Sequence, residues 1–150
     1  MVGDKMREIL FKGKRVDNGE WVEGFLFQTI EHTYIAYAEQ FDDDLFLSPK
    51  NIFIEVIPET VRQYTGKELC DEKLFEGDIV EWYEDYDDFG YSRTAIELAV
   101  VVWDSENYCW AFKTDNEHVP LFCDWNWEDC FIIGNIHDNP ELLKGEEEDE

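Results

Sequence analysis

The chain has 150 residues, 44% of them hydrophobic and 16% aromatic, with 37 acidic against 12 basic side chains and a net charge of −25. That length and apolar content suit a folded chain with a real core and argue against disorder, which requires few aromatics. The charge argues against direct binding to nucleic acid or anionic membrane, because phosphate contacts need clustered Lys and Arg.

The last five residues, Glu146 to Glu150, carry −5, so the rest still holds about 20 excess negative charges. Acidity therefore belongs to the domain as well as to the tail, and solubility through self-repulsion is its simplest use. No run approaches the ~18 apolar residues of a membrane helix. The charged N-terminus lacks the apolar core of a signal peptide, so a cytoplasmic protein with reduced thiols is expected. Cys70, Cys109, Cys123 and Cys130 show no C-x-x-C pair. With His118 at gaps of nine and five residues they match no zinc pattern, and read as buried structural cysteines.

In chain order, Ile9-Leu10-Phe11 suits a first strand, and Asn18-Gly19 after it is a hairpin signal. Trp21 to Thr29 reads as the return strand, with Trp21, Phe25 and Phe27 alternating around Gly24. Thr33 to Ala38 and Asn51 to Ile57 follow as strands, the latter closed by Pro58. Asp42-Asp43-Asp44 between them suits a solvated loop; adjacent carboxylates point different ways and make a poor cation site.

Thr60 to Tyr64 is extended and leads to an expected turn at Thr65-Gly66-Lys67. Gly77-Asp78 before Ile79-Val80 is a tight turn feeding a strand, because glycine takes positive φ freely and the carboxylate bonds nearby backbone N–H groups. Asp78 to Glu84 should pair with Ala95 to Trp103, a near-continuous apolar run. Between them Asp85, Asp87 and Asp88 invite a calcium-loop reading. It fails, since the fifth position is Phe89 and the twelfth is Ile96 instead of the bidentate glutamate. A long solvated hairpin loop is expected there.

Tyr108 to Lys113 reads as a strand with Tyr108, Trp110 and Phe112 on one face, and Val119 to Phe122 as a short apolar one. Trp125 and Trp127 would share a side if extended, either packing in the core or offering an aromatic patch to a protein partner. Phe131 to Ile136 closes the sheet. Asn139 as N-cap, Pro140 at the first helical position and Gly145 as terminator suggest a short C-terminal helix.

Three ordered blocks carry a resemblance. Residues 59–66 (Glu-Thr-Val-Arg-Gln-Tyr-Thr-Gly, including Gln63, Tyr64, Thr65 and Gly66) and 73–80 (including Glu76, Gly77 and Asp78) resemble the central signature of the YopX family. Residues 132–143, with Gly134, Asn135, Asn139 and Pro140, are similar to its closing motif, and residues 7–15 to its opening. The resemblance implies a β-rich fold, a phage or prophage origin, self-association and no catalytic residues, with Met6 as the natural start. Cys70-Asp71-Glu72 departs from the Asn-Gly-type turn expected at that place, and the acidic loop from Asp85 to Ser92 is unusual.

The fold expected is mainly β: an SH3-like barrel over 59–145, an N-terminal β-meander over 1–58 packed with it as one unit, one short C-terminal helix, and the acidic tail 146–150. His32, His118 and His137 are scattered, and no nucleophile elbow, phosphate loop or H-E-x-x-H motif occurs. Catalysis, cofactors and metals are therefore not expected. The role expected is a non-catalytic protein-binding or homo-oligomeric accessory module. Alternatives are an acidic inhibitor that imitates DNA, blocking a host nucleic-acid-binding protein, and a metal-dependent hydrolase.

Overall fold

The computed structural model describes residues 7–39, 50–88, 90–115, 118–120 and 130–143. Eleven strands occupy most of them: β1 (Phe11–Lys14), β2 (Trp21–Gln28), β3 (Thr33–Glu39), β4 (Lys50–Glu55), β5 (Arg62–Leu69), β6 (Glu72–Phe75), β7 (Asp78–Asp88), β8 (Tyr91–Asp104), β9 (Cys109–Lys113), β10 (His118–Pro120) and β11 (Cys130–Asn135). The fold is mainly β, as the runs of β-branched and aromatic residues dictate. The chain divides into two compact units, Met1–Gly66 and Lys67–Glu150. The sequence reading put the boundary at 58/59.

In the first unit the strands run in the order β4-β3-β2-β1-β5, with antiparallel pairing throughout. The β1–β2 hairpin closes over Arg15 to Glu20, with Gly19 at φ 74°. Asn18 has no positive φ; its side-chain oxygen accepts from the Glu20 N–H at 2.9 Å. The core face is built by two glycines facing two branched side chains. A Cβ on Gly13 would sit 2.9 Å from Val56 Cβ, and one on Gly24 would sit 3.0 Å from Ile35 Cγ2. Ile35 and Val56 fill that room and are fully buried.

In the second unit the sheet order is β10-β9-β8-β7-β11. Val80, Trp82, Ala99, Val101, Phe112 and Cys130 share one face, and Leu69 and Leu74 from the β5–β6 hairpin close over it. These eight side chains are the core of the unit, and Trp110 and Ile132 pack at its margin.

Several expectations change. The described strands form two open antiparallel sheets; no closed barrel is made. The expected turn at Thr65-Gly66-Lys67 lies within β5, because Gly66 absorbs φ 92° without ending the strand. The true turn is Cys70-Asp71, two residues with φ 49° and 66°, the geometry that Asn-Gly adopts without strain. The acidic segment after Glu84 is not a long loop: the β7–β8 ladder continues through Asp85↔Thr94 and Asp87↔Ser92 to Asp88↔Tyr91. Composition alone does not distinguish such an acidic strand pair from a loop. Tyr108 falls outside β9, in a turn at φ 54°. That turn is held by Asp104, which accepts from the N–H groups of Glu106 and Asn107. The expected C-terminal helix is a single 3-10 turn, Pro140–Leu143.

Candidate interaction surface

The glycines that open the core side of the first unit decide what its other side carries. Period two in β2 sends Val22, Gly24 and Leu26 one way and Trp21, Glu23, Phe25 and Phe27 the other. With Ile35 occupying the space over Gly24, the phenylalanines are left facing solvent. Cross-strand pairing extends the row: Phe25 lies opposite Ala36, Phe27 opposite Tyr34, and Ala36 opposite Phe53. Phe27 stands 5.5 Å from Phe53 and 6.2 Å from Tyr34, ring centre to ring centre. Phe25, Phe27 and Phe53 are 60%, 49% and 52% exposed. Three adjacent phenylalanines at that exposure form a contiguous apolar patch, which a monomeric surface rarely keeps without use.

One end of this face is cationic. The Arg62 guanidinium lies 4.5 Å above the Trp21 ring centre and the Lys14 ammonium 5.4 Å from it, both within cation–π range. The other end carries His32 and Glu55, paired at 2.8 Å. The ion pairs His32–Glu55 and Arg15–Asp17 are solvent-accessible and contribute little to stability. In the second pair the Arg15 side-chain hydrogen bond holds the Asp17 carboxyl below its ordinary range.

Charge divides unevenly between the units. Residues 1–66 hold seven basic and twelve acidic side chains, net −5; residues 67–150 hold five and twenty-five, net −20.

The motif residues meet in a different place and do structural work. Asp78, buried at the start of β7, accepts from the Phe75 N–H at 2.8 Å and so closes the turn whose Gly77 sits at φ 85°. Gly77 donates to the Val101 carbonyl at 2.8 Å and accepts from the Ile136 N–H at 2.9 Å. Asp78 lies opposite Asn135, and Ile79 opposite Gly134 across a bulge. Asn135 Oδ1 accepts from the N–H groups of His137 and Asp138 at 2.9 Å each. Asn139 Oδ1 accepts from the Asn135 N–H at 3.3 Å and occupies the space a side chain at 134 would need. Asn139 is thus a brace for the β11 turn, not the helix cap expected of it. In the first unit, Tyr64 of the same central signature donates its N–H to the Leu10 carbonyl at 2.8 Å, and Gln63 pairs with Phe11. Gln63, Tyr64, Gly66, Gly77, Asp78, Gly134, Asn135 and Asn139 all bend or brace the chain. Thr65 continues β5, Glu76 lies in the turn before β7, and Pro140 begins the 3-10 turn.

Asp85, Asp87 and Asp88 lie on β7, where Asp85 and Asp87 share a strand parity and Asp88 has the other. Trp125 and Trp127, Cys123, and the triple aspartate at 42–44 lie outside the described residues. Of the other cysteines, Cys130 is buried as expected, whereas Cys70 is exposed, because the two-residue turn lifts it out of the sheet. Its thiol donates a long 3.8 Å bond to the Cys130 carbonyl. Burial, with a smaller contribution from Cys70, pushes the Cys130 thiol up to about 12. Among the described residues no three His, Cys, Asp or Glu side chains converge as metal ligands. None of their helices is long and apolar enough to cross a membrane.

Together these features define a small antiparallel β protein whose glycine, aspartate and asparagine motifs shape turns, while Phe25, Phe27 and Phe53 lie open on one sheet face. The chain belongs to the YopX family: the family model described as YopX protein matches residues 10–144, most of its length. Searches of curated proteins and of solved structures returned no match.

The aromatic face was partly legible in sequence. Alternation put Trp21, Phe25 and Phe27 on one side and Gly24 on the other, but spacing did not say which side faces water. Phe53 and Tyr34 join them only through strand pairing, which spacing does not reveal.

Proposed function

We propose that this chain is a non-catalytic phage or prophage accessory protein, cytoplasmic, acting as a protein-binding or self-assembling module through the aromatic face of its first unit. The observation that carries this reading is the solvent-facing row of Phe25, Phe27 and Phe53. Apolar side chains held in water by a rigid sheet supply binding free energy at low ordering cost, because an aromatic ring has only two rotatable angles. Nothing in the reading requires a cofactor or metal.

A second reading is favoured by the charge division. With −20 on residues 67–150, that unit could offer a carboxylate array to a basic host protein in the place of a nucleic-acid backbone. Salt separates the two. Affinity capture from the host at low and high salt tests them together, with sedimentation velocity of the purified chain beside it. Partners held by the aromatic face persist at 0.5 M salt, where the screening length is about 4 Å, and are lost in Phe25→Ser/Phe27→Ser. Basic partners released by salt and unaffected by that variant favour the DNA-imitating inhibitor. Capture of nothing by a chain that is monomeric at all concentrations overturns both.

A further inference from the structure

The direction of the peptide groups along β4 is fixed by two hydrogen bonds. Val56 donates its N–H to Thr33 of β3 at 2.9 Å, so residues of even number on this strand turn their backbone groups toward β3. Glu55 turns the other way, and its carbonyl accepts from the Val16 N–H at 3.0 Å. By alternation Asn51 and Phe53 direct both N–H and C=O to the outer edge. Among the described residues β4 pairs with β3 alone, and no strand stands beside Asn51 or Phe53. The β3–β4 ladder runs without a bulge over six consecutive pairs, Tyr34↔Glu55 to Glu39↔Lys50, and β4 contains no proline. A regular, bulge-free edge of this kind is a template for another strand.

We propose that the outer edge of β4 pairs with β4 of a second copy of this chain. This deepens the self-assembly reading above and rests on it. A two-fold axis normal to the sheet at Ile52 sets Asn51 opposite the partner's Phe53, and Phe53 opposite the partner's Asn51. Those two pairs satisfy all four outward-facing groups of each copy and use no group that is already bonded. Any register that needs the Glu55 carbonyl competes with Val16. The same axis keeps Phe53 of both copies on one face and diagonal to each other, within aromatic reach. The row Tyr34, Phe27, Phe53 then continues across the junction into its symmetry mate. Such an interface is isologous and closes at two copies. It is small, so the dimer is weak, with Kd on the order of 10–100 µM. Each copy carries −25, so added salt screens their repulsion and tightens the pair.

The experiment is sedimentation velocity across 1–500 µM (roughly bracketing that Kd), at low and high salt, together with amide exchange at low and high protein concentration. The variant is Asn51→Pro, which removes an outward N–H while leaving the β3 ladder untouched. The expected result is a monomer–dimer equilibrium favoured by salt, slowed exchange of the Asn51 and Phe53 amides at high concentration, and at least a tenfold weaker dimer in Asn51→Pro. Assembly unchanged in a folded Asn51→Pro, with concentration-independent exchange at both amides, overturns the edge pairing and leaves self-assembly through another surface standing. A wild-type chain monomeric throughout overturns both. If Asn51→Pro fails to fold, the exchange of the wild-type amides decides alone.

Discussion

Replacing Gly134 by alanine places a methyl group where the Asn139 side chain stands. The new Cβ would lie 2.5 Å from Asn139 Oδ1, 2.9 Å from its Cγ and 3.0 Å from its Cβ, whereas ordinary contact begins near 3.4 Å. Asn139 cannot simply swing aside. Its Oδ1 holds the Asn135 N–H, and its own N–H donates to the Asn135 carbonyl at 2.8 Å. Overpacking of this kind costs about 1–3 kcal/mol, and losing the side-chain hydrogen bond adds about 1. Gly134→Ala should therefore destabilise the second unit by about 2–4 kcal/mol. In an Asn139→Gly background the obstacle is gone and the same change should cost less than about 1 kcal/mol, a coupling of about 2 kcal/mol. Urea unfolding of the four chains, with amide exchange on β7 assigning the transition to this unit, measures both numbers. A single mutant within about 0.5 kcal/mol of wild type, or strictly additive costs, refutes the brace.

Asp78→Ala strands the buried Phe75 N–H and should cost about 2–3 kcal/mol in urea unfolding, while Asp78→Asn, which keeps an acceptor, costs less than half as much. The Cys70-Asp71 turn holds two side-chain-bearing residues at positive φ, so Cys70→Asn/Asp71→Gly should stabilise by about 1–2 kcal/mol in the same assay. Cys130 is neutral in the folded chain until about pH 12, against 9.0 for an ordinary thiol. A raised folded pKa contributes stability that is complete below the ordinary value and lost as pH rises through the folded one. Urea stability should thus fall between pH 9 and 12 more steeply in wild type than in Cys130→Ala, by up to about 1.4 kcal/mol per pH unit. Equal slopes contradict it.

What the sequence made legible was local. Period-two alternation located most strands, and Gly77-Asp78 read correctly as a turn because its bond, from Asp78 to Phe75, spans three residues. Features set by pairing were hidden. Gly66 looked like a turn, yet it is a strand residue because β1 and the β5–β6 hairpin hold the chain extended on either side of it. Asp85 to Asp88 looked like a loop, yet their ladder with β8 continues, because backbone pairing, once begun at Ile79↔Val100, propagates without an apolar pattern. Asn139 looked like a helix cap, yet its side chain is drawn back to Gly134 and Asn135, a contact that only the β11 turn creates. The aromatic face followed the same logic: residue types announced the strands, and the register assembled Phe27, Tyr34 and Phe53.

The turn motifs bend the chain, and the phenylalanine row is the surface proposed to bind. Affinity capture by Phe25→Ser/Phe27→Ser at high salt tests that separation most directly, because both side chains already face water and their loss should leave the unfolding midpoint within about 0.5 kcal/mol of wild type. The expected result is a native fold that retains no partner. A variant that captures as the wild type does would show that the row is not the binding surface.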